Sequence, residues 1–151
     1  MPFTPVTQLI PVLQTAIGPV ILISGVGLLL LTMTNRLGRV IDRSRILGRE
    51  LRTVEKEDRP PIRGQLDILS RRASLIRSAI ALASISVLLA AILVIVLFLT
   101  ALLKLEDAWL ITALFVGCML SLIGSLIAFI RDINLSLVAL RLELGEGQDP
   151  G

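Results

Sequence analysis

A chain of 151 residues with 54% hydrophobic content and 3% aromatic residues is too apolar for an ordinary soluble domain and reads as membrane-embedded. One cysteine and no histidine exclude zinc sites built from thiolate and imidazole, and leave no imidazole to act as a base or proton relay. Twelve of the fifteen Lys and Arg residues fall between Arg36 and Arg77, where six acids leave a net of +6, against +3 for the whole chain.

Residues 1–35 carry no charge, and their dense apolar part, Ala16 to Thr34, is long enough for a first transmembrane helix. A signal peptide is the competing reading. It requires a basic start and a small-residue cleavage site, whereas Met1 to Thr15 contain no Lys or Arg and the run exits into Asn35-Arg36-Leu37. Gly18-Pro19 predicts a kink or a helix start. Gly18, Gly25 and Thr32 recur every seven residues, and such small side chains let helix backbones approach closely. Thr32, Thr34 and Asn35 form a polar collar at the end of the span, a candidate pore lining or simply the membrane interface.

Residues 36–77 predict an antiparallel helical hairpin with a turn near 58–61. Leu37, Val40, Leu47, Leu51 and Val54 share one helical face, with Arg45, Arg49, Arg52 and Lys56 opposite. Asp58-Arg59-Pro60-Pro61 breaks the helix, because proline lacks the N–H and disfavours helical geometry before it. Ile62, Leu66, Leu69, Ala73, Ile76 and Ile80 then recur at alternating spacings of four and three. The two apolar seams face each other or a neighbouring subunit, so Leu37, Leu47, Leu51, Leu66 and Leu69 are the candidate oligomer seam. Arg36, Arg39 and Arg43 leave the first span, and Arg71, Arg72 and Arg77 enter the second; the positive-inside rule makes this loop cytoplasmic. Arg36, Arg39 and Arg43 are the candidate contacts for anionic lipids or ions, unless they serve topology alone.

Residues 78–103 and 108–130 are two further uncharged runs of spanning length, joined by the short 104–107 link. Ala79, Ala83, Ser86 and Ala90 line the second with small residues, and Ala113, Gly117, Ser121, Gly124 and Ala128 line the third. Trp109 sits at the outer edge of the third span, where an amphipathic ring is favoured. Cys118, inside that span, reads as a packing residue rather than a reactive thiol. Residues 131–151 predict a cytoplasmic amphipathic helix on Ile133, Leu137, Leu140 and Leu144, stopped by Gly145 and Gly147, then a disordered tail from Gln148.

The sum is an all-α membrane protein with three transmembrane helices, a cytoplasmic hairpin between the first two, an outside N-terminus and a cytoplasmic C-terminus. With no Asp, Glu, Lys or Arg inside the spans, proton-coupled transport and voltage sensing lose their usual machinery. Ser24, Ser84 and Ser86 have no base at membrane depth, so an enzyme is not expected, nor is any cofactor or metal site. The arginines are interleaved with acids and lack aromatic partners, which argues against nucleic acid. A pore needs no charged span residue, because carbonyls, hydroxyls and hydrophobic constrictions can provide selectivity.

The stretch from Thr15 through Gly18-Pro19 and Gly25-Val26-Gly27, then Thr34-Asn-Arg-Leu-Gly-Arg-Val-Ile-Asp-Arg to Arg45, resembles an uncharacterised bacterial membrane-protein family, domain of unknown function 2721. The resemblance extends to Arg131-Asp132-Ile133 and implies three spans in a bacterial inner membrane. It brings no activity and no catalytic residues. The expected function is a homo-oligomeric membrane protein forming an ion-conducting pore with a basic vestibule; the alternative is a non-conducting scaffold whose hairpin docks a partner protein.

Overall fold

The computed structural model describes the backbone of residues 6–53, 59–103 and 108–146, and the side chains of 10–53 (except 12), 62–103 and 108–137. These residues form three helices: α1 (Val6–Thr53), α2 (Arg59–Leu103) and α3 (Ala108–Glu146). All three are long and apolar enough to cross a membrane. At 1.5 Å per residue α1 and α2 are each about 70 Å long and α3 nearly 60 Å, roughly twice the hydrocarbon thickness of a bilayer. Each helix therefore has ample length to continue beyond a span.

Two expectations about helix ends are corrected. Gly18-Pro19 starts no helix: α1 begins by Val6 and runs through both Pro11 and Pro19. An apolar environment makes the helix the least costly way to pair the remaining backbone groups even where proline removes a donor. The amphipathic segment expected after Ile130 is not a separate helix, because α3 continues unbroken to Glu146. No proline lies between Arg131 and Glu146 to remove a backbone donor. The 104–107 link, the turn residues 54–58, the tail beyond Glu146, and the side chains of Val54, Lys56, Leu140 and Leu144 lie outside the described residues.

Contacts divide the chain into two units, each drawing on all three helices. The first comprises Met1–Leu31 and Ala81–Gly124. Here Ala83, Ser86, Ala90 and Leu93 of α2 are buried, as are Cys118 of α3 and Ala16 and Val26 of α1. Small residues allow α2 and α3 to hydrogen-bond each other's main chain. Ser86 Oγ donates to the Cys118 carbonyl at 3.0 Å, Cys118 Sγ donates to the Ser86 carbonyl at 3.2 Å, and Ser121 Oγ donates to the Leu82 carbonyl at 2.7 Å. Interhelical bonds of this kind contribute on average about 0.6 kcal/mol each in a membrane protein.

The second unit comprises Thr32–Ile80 and Ser125–Gly151. Its core is Met33 and Val40 of α1 with Ile76 and Ala79 of α2, covered by Leu37, Leu69, Ala73, Ile80, Ala128 and Phe129. The heptad-like spacing read from the second arm thus faces the first arm of the same chain. Ser125 Oγ donates to the Ala79 carbonyl at 2.7 Å and fixes the level of α3 against α2.

Candidate functional site: a charge cluster shared by three helices

In the second unit each helix presents a core stripe at spacings of three and four: Met33, Leu37 and Val40 on α1; Leu69, Ala73, Ile76 and Ala79 on α2; Ser125, Ala128 and Phe129 on α3. Arg36, Arg72 and Asp132 continue those stripes by the same spacing, so the helical period that buries the apolar residues also turns these three charges inward. Asp132 is completely buried, and the Arg36 and Arg72 side chains keep 22% and 20% of their exposure.

Arg72 Nε donates to Asp132 Oδ1 at 3.3 Å. Arg36 Nη2 lies 3.5 Å from Oδ2, close enough for attraction but without a hydrogen bond, and Oδ2 has no hydrogen-bond partner. Arg36 is steadied instead by Phe129, whose ring centroid is 5.2 Å from the guanidinium carbon. Ser136 Oγ donates back to the Asp132 carbonyl at 3.0 Å, one turn further along α3. Two cations thus surround one carboxylate, and the cluster carries a formal charge of +1. A buried carboxylate without these partners would carry a desolvation penalty of several kcal/mol. Their long apolar stems let both arginines reach it from partly exposed positions.

Of the candidate lipid or ion contacts, Arg36 is engaged by Asp132 and Phe129, whereas Arg39 and Arg43 are exposed. The collar residues Thr32, Thr34 and Asn35 are exposed, on either side of a Met33 that is fully buried. The packing residues divide by helix. A Cβ at Gly117 would touch Leu89 Cδ1 at 3.6 Å and one at Gly124 would press on Leu82 Cδ1 at 3.3 Å, so α3 uses its small residues against α2. Gly18 and Gly25 have nothing within 4 Å of such a Cβ, and their face of α1 is open.

The candidate oligomer seam is largely closed within the chain. Leu37 and Leu69 cover the second unit's core, Leu47 is buried, and Leu51 and Leu66 are half-buried. The expected second subunit is therefore not needed to cover it. On the opposite side Arg45, Arg49 and Arg52 are exposed, as expected from their spacing.

Sequence reasoning missed the inward roles of Arg72 and Asp132, reading Arg72 as a charge that orients the second span and giving Asp132 no role of its own. One signal could have found them. Arg36 lies two residues past Thr34 and Asp132 two residues past Ile130, each just beyond an uncharged run of spanning length. Opposite charges at one depth on neighbouring helices invite pairing.

The family model described as a protein of unknown function (DUF2721) matches residues 16–142. The chain belongs to the DUF2721 family. The match takes in all of α2, most of α1 and α3, and every member of the charge cluster. No curated protein and no solved structure matches.

Proposed function

We propose that this DUF2721 protein is a homo-oligomeric integral protein of the bacterial inner membrane, assembled through α1 and enclosing an ion-conducting pore. One observation carries the reading: the small residues of α3 are filled by α2, whereas Gly18 and Gly25 on α1 are open. A small-residue face left open in a spanning helix suits close approach of a second copy. With α1 at the axis, exposed Thr32, Thr34 and Asn35 supply hydroxyl and amide groups at one mouth, and exposed Arg39 and Arg43 make that mouth basic. The density of arginine beside the first two spans supports a cytoplasmic hairpin, with the N-terminus outside and the C-terminus inside.

Native mass spectrometry and liposome flux test the reading together. The wild-type chain should be oligomeric and conduct, Gly25→Leu should yield monomers and silent vesicles, and Arg39→Glu should shift preference away from anions. Wild-type monomers would remove the proposal. Intact oligomers that conduct nothing would favour a non-conducting scaffold, for which exposed Arg45, Arg49 and Arg52 offer an acidic partner a docking stripe.

A further inference from the structure

The charge cluster holds more donors than its carboxylate engages. A guanidinium has five N–H donors. Among the described residues Arg36 makes no hydrogen bond, and the Arg72 guanidinium makes one. Asp132 is wholly buried, so the arginines, each about a fifth exposed, are the members of the cluster that a ligand can reach. Their charges exceed the carboxylate's by one.

We propose that Arg36 and Arg72 together bind a phosphodiester oxyanion through the N–H donors that Asp132, which competes for the same guanidiniums, leaves unengaged. A phosphodiester carries a single negative charge, which brings the cluster to neutrality. Its tetrahedral oxygens suit the planar forks of two arginines, which recognise phosphate through paired hydrogen bonds. Position supports the same chemistry. Arg36 and Asp132 each lie two residues beyond a span, about 3 Å along a helix, at the depth where hydrocarbon gives way to headgroups. The phosphodiester can come from a lipid headgroup or from a soluble ligand. The site rests on the membrane setting and not on the pore reading, so flux measurements leave it untouched.

The test uses the full-length protein in neutral detergent, with native mass spectrometry reading retained phosphatidylglycerol against phosphatidylcholine, and far-UV circular dichroism checking that each variant is folded. Wild type should retain the anionic lipid preferentially, and Arg36→Gln should weaken retention roughly tenfold, the loss expected for charge-assisted hydrogen bonds. Arg45→Gln, which changes an exposed arginine outside the cluster, should match wild type. Asp132→Asn frees both arginines and should strengthen retention even as it destabilises the bundle. A purely structural cluster would show no such gain. If Asp132→Asn fails to fold, the comparison of Arg36→Gln with Arg45→Gln decides alone.

Titration with glycerophosphoglycerol distinguishes the sources. Displacement of the lipid by this headgroup without acyl chains identifies a site open to soluble phosphodiesters, and retention of the lipid identifies a headgroup site; either supports the proposal. Equal losses in Arg36→Gln and Arg45→Gln, or no preference for phosphatidylglycerol together with no binding of glycerophosphoglycerol, would overturn it.

Discussion

Arg72 and Asp132 stand sixty positions apart in the chain, yet the Arg72 Nε–H points at the Asp132 carboxylate across 3.3 Å, joining α2 to α3 through charge. The contact is the stronger limb of the cluster, because Arg36 approaches the other oxygen without a hydrogen bond. Asp132→Ala should cost about 3 kcal/mol of stability, since it strands two partly buried guanidiniums. Arg72→Ala should cost more than Arg36→Ala for the same reason. Reversible unfolding in mixed micelles measures all three, and equal effects of the two arginines would contradict the asymmetry.

Replacing the whole cluster should be far milder than breaking it. Arg36→Met, Arg72→Met and Asp132→Leu together remove every buried charge and leave apolar side chains of similar volume, a change that is often neutral or stabilising. The triple variant should unfold within about 1 kcal/mol of wild type, and a loss as large as that of Asp132→Ala would show that the charges contribute more than mutual compensation.

The two glycine faces should respond oppositely to added bulk. Gly124→Leu pushes into Leu82, already 3.3 Å from where a Cβ would sit, and overpacking of this kind costs about 1–3 kcal/mol. Gly25→Leu meets open space within the chain and should leave subunit stability nearly unchanged while altering association. Thermal unfolding of the monomeric species and cross-linking of the wild-type assembly separate the two effects.

Cys118 should resist maleimide in the folded protein. It is almost wholly buried, and its thiol donates to the Ser86 carbonyl while Ser86 Oγ donates to the Cys118 carbonyl. Labelling should proceed only on a timescale set by unfolding, and rapid modification under native conditions would refute this placement.

In the first arm, adjacent residues should differ sharply. Leu47 is 7% exposed and Ile46 62%. Leu47→Ala should cost about 2 kcal/mol or more and Ile46→Ala well under 1 kcal/mol. Hydrogen exchange of the arm amides reads both.

Much of this architecture was legible because helical period and apolar length are local properties. Uncharged runs marked the spans, Pro60-Pro61 fell beside the described start of α2 at Arg59, and the spacing of Leu69, Ala73 and Ile76 named one face of the second core. The small-residue stripe of α2 could also be read, and Ala79, Ala83, Ser86 and Ala90 are all buried. What escaped depends on which helix stands beside which. The alanines and serine of α2 and the glycines of α1 look alike as patterns, but only the former have a neighbour in the chain. Asp132 beside Arg131 looks like a polar exit; only the positions of Arg36 and Arg72 distinguish the buried acid from the exposed base next to it.

Synthesis proceeds from the N-terminus, so Arg36 and Arg72 are both made well before Asp132. Until the ribosome has added most of α3, the first two helices hold a pair of like charges that repel across their shared core stripe. The carboxylate that reconciles them arrives only with α3. A fragment ending after α2 is consequently a chain with an unresolved repulsion at its centre, and α3 is what makes the first two helices compatible.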